Sequence, residues 1–139
     1  MHEEEHLDKQ PTLRVRTMPN DTNASGDIFG GWLMSQIDVA GAIEAQVRSR
    51  GPVATIAVNE LIFHKPIYVY DLVSFYTNVI RVGNTSIEVG IDVFVRRMEE
   101  GEFKTLKVSW AKLVYVAISK PGVKRTVPPE HELKGDSSS

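Results

Sequence analysis

The sequence predicts an α+β domain in which one long central helix is wrapped by a curved antiparallel β-sheet. The stretch from Asn20 to Arg48 begins as a loop rich in Asn, Asp, Ser and Gly and continues as one long segment of mainly apolar or small residues. After the break at Gly51-Pro52, the remaining long segments alternate apolar and polar residues at the period of a β-strand. One helix followed by a run of strands is the order of an α+β fold.

The size and composition of the chain are those of one ordinary globular domain. It has 139 residues, of which 42% are hydrophobic and 24% charged. No apolar run approaches the roughly 18 residues that cross a bilayer, and the acidic start at residues 1–6 is unlike a signal peptide, so we expect a cytoplasmic protein. The chain has no cysteine, which excludes disulfides and thiolate chemistry, and its net charge of -2 gives no general attraction to nucleic acid.

Each predicted element has its own signal. The alternation from Leu13 to Thr17 predicts a short, half-exposed strand that stops near Pro19. The loop and the long helix follow. After the helix we predict four strands, over residues 53–63, 69–81, 84–97 and 103–118. Two turns are predicted between them, at residues 82–84 and 99–101.

The two ends of the chain differ in composition from this body. Residues 1–10 are charged and are expected to form a flexible lead-in. The domain is predicted to span residues 11–119. From Lys120 onward the chain turns polar and rich in proline, so we expect residues 120–139 to be a loose tail.

Apolar patterns predict which faces are buried. At 100° per residue, one arc of the helix carries Trp32, Leu33, Ile37, Val39, Ala40, Ile43 and Val47. Glu44 lies within this arc without an evident partner. In the last strand, the apolar face is predicted to carry Leu106, Val108, Trp110, Val114 and Val116, and Lys112 interrupts it.

Asp38 needs an explanation because it interrupts a long, mainly apolar helix. It lies outside the apolar arc, beside Gly31, Met34, Ala42 and Ala45, a strip of mainly small side chains where another backbone or a ligand can approach closely. A carboxylate in such a place can serve as a general base or a nucleophile. It can equally form a salt bridge with an Arg or Lys across an interface.

Gly30 and Gly31 give the start of the helix a second chemical feature. The first N–H groups of a helix lack internal partners and lie at the positive end of its dipole. Because these two positions carry no side chain, a substrate oxygen can reach their amides. The pattern predicts an oxyanion site at the backbone N–H groups of Gly30 and Gly31.

Other polar residues have simpler explanations. Asp27, just before the helix, is typical of an N-cap. Ser35 is close to Asp38 in sequence, but no histidine lies nearby to complete a triad. The histidines predict no metal site, since His64 alone lies in the body of the chain and the others lie in its predicted tails, at His2, His6 and His131.

Several motifs of this chain occur together in one known family. They are the run Asp21-Thr22-Asn23 through Gly26-Asp27-Ile28-Phe29-Gly30-Gly31-Trp32, then Lys65-Pro66, Val82-Gly83-Asn84-Thr85-Ser86-Ile87 and Arg125-Thr126-Val127-Pro128. On these residues the chain resembles, over residues 13–128, the YciA-type acyl-CoA thioesterases of the hotdog superfamily.

The resemblance implies a hotdog fold and the hydrolysis of acyl-CoA to a free fatty acid and CoA. It implies active sites at the interface of a homodimer, and dimers of this family usually assemble further into a hexamer. It also implies that Asp38 is the catalytic residue and that Asn23 assists from the facing subunit. CoA enters as substrate and product, so no separate cofactor is expected.

Binding of CoA calls for cations and hydrogen-bond donors, because CoA carries phosphates and an adenine. Lys65 and Arg81 flank the family-like segments, and the predicted hairpin offers polar groups at Asn84, Thr85 and Ser86. We therefore expect these five residues to bind CoA. The expected partners are acyl-CoA and further copies of the chain, with no nucleic acid and no membrane.

Two other functions remain open from the sequence. A hotdog hydratase or dehydratase would use a His paired with an acid; His64 is the one candidate, and the His-Phe-Pro type signature is missing. A non-catalytic acyl-CoA sensor or regulatory subunit would keep the pocket without the chemistry. The presence of Asp38 and Asn23 favours an enzyme.

Overall fold

The computed structural model describes residues 9–130. Its elements are strand β1 (Leu13–Arg16), a 3-10 helix (Pro19–Asp21), helix α1 (Gly30–Ser49) and strands β2 (Val53–Phe63), β3 (Leu72–Val82), β4 (Ser86–Glu99), β5 (Glu102–Lys120) and β6 (Val123–Lys124). This confirms the α+β prediction of one helix and four long strands, with strand ends moved by a few residues. Residues 1–8 and 131–139, with His2, His6 and His131, lie outside the described part of the chain.

All the strands are antiparallel and follow the order β1-β3-β4-β5-β2, with β6 paired to the end of β5. The β4–β5 hairpin turns at Glu100 and Gly101, both with positive φ, as the predicted turn requires. Strand β2 pairs with β5 alone, so its other side is an open edge of the sheet. Over residues 9–130, no helix is long and apolar enough to span a membrane.

Helix α1 packs on the concave face of the sheet through small residues. Leu33, Ile37 and Ala40 are buried as predicted, but the buried face continues through Gly41 and Ala45. Two members of the predicted arc are instead exposed, Val39 by 47% and Val47 by 65%. The prediction was wrong for these two valines because the closest approach to the sheet follows the shortest side chains. The unexplained Glu44 accepts a hydrogen bond from the Thr77 hydroxyl at 2.6 Å.

The predicted face of β5 is right at Val108 and Val116, which are buried, and wrong over the stretch that contains Trp110 and Val114. Ala111, Leu113, Tyr115 and Ala117 are fully buried, whereas Trp110 and Val114 are only half-buried. A register irregularity near Val93 and Phe94 shifts the alternation of β5 around Val108. Lys112 therefore lies with Trp110 on the outer face, where its ammonium is 5.6 Å from the indole. By contrast, β4 buries its predicted face of Ile87, Val89, Ile91, Val93 and Val95 completely.

The chain beyond Lys120 is packed against the domain as far as it is described. Strand β6 pairs with β5, and Val127 is buried. The guanidinium of Arg125 donates hydrogen bonds to the carbonyls of Ile118 (2.7 Å), Ser49 (2.8 Å) and Pro52 (3.1 Å). This corrects the expectation of a loose tail for residues 120–130, because one arginine satisfies carbonyls from the end of α1, the start of β2 and the end of β5.

Replacing Arg125 by methionine is expected to destabilise the domain by about 3 kcal/mol, because three carbonyls lose a charged donor while the aliphatic stem is kept. That loss corresponds to a fall in Tm of about 10 °C for a domain of this size. Thermal unfolding followed by circular dichroism measures the change. The matched control is Lys124→Met on the exposed strand β6, for which Tm should stay within about 2 °C. Equal Tm values for the two variants would contradict this role of Arg125.

Candidate active site

Asp38 lies in the middle of α1, half-buried and facing strand β2. Its Oδ1 accepts a hydrogen bond from the hydroxyl of Thr55 at 2.6 Å. No ion pair between Asp38 and a cation is formed within residues 9–130. The carboxylate is therefore held in place by a neutral donor, which leaves its charge available for chemistry. A carboxylate without a cation partner fits a role as general base. It does not fit the alternative of a structural salt bridge.

The start of α1 is open, as the glycines predict. The helix begins at Gly30, and its N-cap residue Phe29 makes no side-chain hydrogen bond to the first turn. A Cβ on Gly31 would meet no atom within 4 Å, and one on Gly30 would touch only the ring of Phe63 at 3.7 Å. The N-cap position expected for Asp27 is occupied by Phe29 instead.

A cavity of about 310 Å³ opens at this helix start. Its lining combines apolar side chains with a few polar ones, which is typical of a ligand site. The lining residues include Asn23, Asp27, Phe29, Gly30, Phe63, His64 and Lys65. The cavity is therefore lined by Gly30, one of the two predicted oxyanion residues, and by the predicted CoA contact Lys65, while Gly31 and Asp38 do not line it.

Asn23 shapes the loop before the helix. Its side-chain oxygen accepts hydrogen bonds from the N–H groups of Ser25 (2.8 Å) and Asp27 (3.2 Å), and its own N–H donates to the carbonyl of Asp27 at 2.7 Å. The residue also lines the cavity. Within one chain, Asn23 and Asp38 make no contact with each other, so they can act together only if Asn23 meets an Asp38 from elsewhere.

The residues expected to bind CoA fall into two groups at opposite ends of the helix. Lys65 lies in the cavity at the start of α1. Arg81 lies near the far end of β3, a strand about 35 Å long. The hairpin at Asn84, Thr85 and Ser86 lies beside the end of α1, since the carbonyl of Asn84 accepts from the N–H of Val127 (2.9 Å) in the segment that Arg125 anchors. One chain does not bring these groups together.

The same separation applies to the catalytic groups. Gly31 and Asp38 are seven residues apart on one helix, which is about 10 Å along the axis. Helical N–H groups point toward the N-terminus, so an oxygen bound by the Gly31 amide lies farther still from Asp38. Within a single chain, a substrate carbonyl bound at the Gly31 amide cannot be attacked by the Asp38 carboxylate or by a water that it holds, because reacting atoms must approach to about 3 Å.

Sequence reasoning missed two residues at Asp38, namely Thr55 and Tyr115. The Thr55 contact joins α1 to β2, and no local pattern reveals such a contact. The hydroxyl of Tyr115 donates to the main-chain carbonyl of Asp38 at 2.8 Å. Tyr115 escaped notice because the predicted face of β5 pointed it away from the helix. A correct face for that strand would have placed Tyr115 opposite the middle of α1.

Comparison with known proteins finds thioesterases, both among family models and among individual sequences. The family model "Thioesterase superfamily" matches residues 25–102. The acyl-CoA thioester hydrolase YciA of Salmonella typhimurium is 43% identical over 117 residues, covering 84% of this chain and 88% of that protein.

Two solved structures share the architecture as well. The hexameric hotdog-fold thioesterase Cj0915 of Campylobacter jejuni superposes with a TM-score of 0.85 at 39% identity, covering 94% of this chain and 98% of its own. The hexameric broad-specificity acyl-coenzyme A thioesterase HI0827, in a form with an aspartate replaced by alanine, gives a TM-score of 0.84 at 40% identity, covering 93% and 95%. The chain therefore belongs to the thioesterase superfamily and has its hotdog fold.

Proposed function

We propose that the protein is an acyl-CoA thioesterase that hydrolyses fatty acyl-CoA to a carboxylic acid and CoA. The observation that carries this proposal is the carboxylate of Asp38, which lies in mid-helix, accepts a hydrogen bond from Thr55 and forms no ion pair within residues 9–130. The similarity to acyl-CoA thioester hydrolases over most of the chain supports the substrate class. No cofactor is required, since a carboxylate and water are sufficient for this reaction.

The reaction follows from these groups. Asp38 takes a proton from a water that attacks the thioester carbon, or attacks that carbon itself and forms an anhydride that water then opens. In the first route the C–S bond breaks and the leaving thiolate of CoA takes the proton from Asp38; in the second the thiolate leaves as the anhydride forms and takes up the proton that is released when water opens the anhydride. The amides of Gly30 and Gly31 stabilise the negative charge that develops on the carbonyl oxygen.

The active site is shared between two protomers. Because the amides and the carboxylate of one chain are too far apart, the site combines Gly30 and Gly31 of one protomer with the partner's Asp38. A two-fold axis makes both sites equivalent when it passes midway between Gly31 and Asp38, close to Ser35. The same arrangement lets Asn23 reach the thioester from the facing subunit.

The open edge of β2 is the surface on which this dimer forms. Strand β2 exposes large apolar side chains, and α1 with its N-cap residue exposes two more; together they are Ile56, Val58, Ile62, Phe63, Phe29 and Val39. An unpaired apolar edge of this kind is an aggregation hazard unless another chain covers it. Two β2 strands pairing antiparallel about a two-fold axis continue the sheet and set the two helices side by side in opposite directions.

This dimer geometry also brings the two groups of residues expected to bind CoA close together, one group from each protomer. With antiparallel helices, the start of one α1 lies toward the end of the other. The cavity with Lys65 then approaches the partner's hairpin and Arg81, so both groups contact one CoA. The hexameric relatives support a further assembly of three such dimers.

Release of thiol from acyl-CoAs of graded chain length tests this function. Wild-type protein should release thiol, and the Asp38→Ala and Asp38→Asn variants should not. Retained CoA binding without any thiol release, for every acyl group, would favour a sensor and overturn the proposal. Hydration of an enoyl thioester dependent on His64 would instead favour a hydratase; His64 is exposed and lines the cavity.

A further inference from the structure

Two neighbouring side chains of the sheet hold the same residue of the helix. Thr55 on β2 and Tyr115 on β5 are directly paired across the two strands. Thr55 donates to the Asp38 carboxylate at 2.6 Å, and Tyr115 donates to the Asp38 main-chain carbonyl at 2.8 Å. The first bond orients the side chain, and the second fixes the helix turn from which that side chain projects.

Gly41 provides the space that this contact needs. Tyr115 is fully buried, and its ring lies against the helix where Gly41 has no side chain. A Cβ at Gly41 would lie 2.9 Å from the ring carbon Cζ and would overlap the hydroxyl oxygen. Glycine in a helix interior costs about 1 kcal/mol relative to alanine. The glycine at position 41 therefore lowers the intrinsic stability of the helix at the position where the Tyr115 ring packs against it.

The surroundings of the Tyr115 hydroxyl favour its protonated form. Burial raises the pKa of Tyr115, and the negative charge of Asp38 raises it further. The group therefore acts as a hydrogen-bond donor at neutral pH. Since the carbonyl of Asp38 also has its ordinary helical position as an acceptor, this bond adds to the helix ladder and is not needed to satisfy it.

We propose that Tyr115 is a positioning residue for catalysis, which sets the Asp38 carboxylate by fixing its helix turn against the strand that carries Thr55. The inference rests on the proposed thioesterase function and deepens it. Catalytic groups must be held to within about 0.5 Å by supporting contacts, and such contacts act on kcat more than on binding. Tyr115 does not touch substrate in this account.

Tyr115→Phe is the direct test, because it removes the hydroxyl and keeps the ring in the core. We expect kcat for acyl-CoA hydrolysis to fall about fivefold, the effect of one hydrogen bond, with KM unchanged. The control is Tyr76→Phe, in which the ring packs edge-to-face on Phe94 and the variant should keep the wild-type kcat. A wild-type kcat in Tyr115→Phe, or a fall in both variants alike, would overturn the proposal.

Gly41→Ala tests the same contact from the helix side and does not depend on the first variant. The added methyl must push the Tyr115 ring away, so kcat should fall at least as far as in Tyr115→Phe. In the double variant the hydroxyl is already lost, so kcat should be no lower than in Gly41→Ala alone. A double variant whose loss equals the product of the two single losses would mean that the residues act independently, and the inference would be wrong.

Failure of this inference is distinguishable from failure of the proposed function. If wild-type protein releases no thiol from any acyl-CoA, the function itself is wrong. If Asp38→Asn abolishes an activity that Tyr115→Phe retains in full, the function stands and the positioning role of Tyr115 is withdrawn.

Discussion

Replacing Asp38 by asparagine is expected to lower kcat for acyl-CoA hydrolysis by about 10³-fold, within the range that loss of a general base produces. Asparagine keeps the shape of the side chain and can still accept the bond from Thr55, but it can neither take a proton nor attack a carbonyl. The fold should be unaffected because the residue is only half-buried and forms no ion pair that the described structure shows.

Asp92→Asn is the matched control for this prediction. Asp92 is also a half-buried carboxylate, but its Oδ1 is paired with Lys107 at 3.1 Å on the sheet. Its replacement should leave kcat within about twofold and change stability by less than about 1 kcal/mol. Steady-state kinetics with thiol detection, together with Tm values for both variants, separates a chemical role from a folding defect. A kcat within tenfold of wild type for Asp38→Asn would contradict a catalytic carboxylate.

The second large effect is expected at the open edge of β2. Ile56 is 57% exposed in the single chain, and we expect the partner's β2 to cover it. In the variant Ile56→Arg, dimerisation would bury a guanidinium without a partner, at a cost of several kcal/mol. The dimer dissociation constant should rise at least about 100-fold. Because each site is built from two protomers, specific activity should fall with the dimer fraction.

Met98→Arg provides an exposure-matched control. Met98 is 56% exposed and lies near the end of β4, paired with Phe103 and away from β2. This variant should keep the wild-type dimer affinity and activity. Sedimentation velocity across a dilution series, with activity measured at each concentration, reports both quantities. If Ile56→Arg remains a fully active dimer at nanomolar concentration, β2 is not the interface.

The fold could be predicted from sequence wherever a regular hydrophobic pattern identified the buried face of an element. The strand β4 buries five alternating residues on one face, and that face was predicted completely. Helix α1 was recognised, but its buried face was only partly right, because the small residues Gly41 and Ala45 give a weaker hydrophobic signal than Val39 and Val47 and are nevertheless buried. Strand β5 was assigned the wrong face from Trp110 to Val114 because the irregularity around Val108 shifts its alternation by one residue.

The sequence singles out candidate site residues but not the contacts that join them in the fold. Asp38 and the glycine pair stand out locally, because each breaks a rule for helix composition. Thr55 and Tyr115 do not, since their role arises only when β2 and β5 are paired and laid on α1. Arg125 was grouped with a polar tail, because its carbonyl partners come from three separate segments.

Mixed dimers test the shared active site. One protomer carries Asp38→Asn, and the other carries Gly31→Pro, which removes the amide N–H at a first-turn position where proline is compatible with a helix. Gly31→Ala is the control, because it keeps the N–H and its Cβ meets no atom within 4 Å, so it should be active. Each parent homodimer should be inactive.

The decisive measurement is the activity of purified heterodimers that carry a different tag on each protomer. If the amides of one protomer serve the carboxylate of the other, one of the two sites combines an intact Asp38 with an intact Gly31 amide, and the heterodimer recovers about half of the wild-type activity. If each protomer supplies both groups to its own site, both sites are defective and the heterodimer stays as inactive as its parents, which would contradict the account.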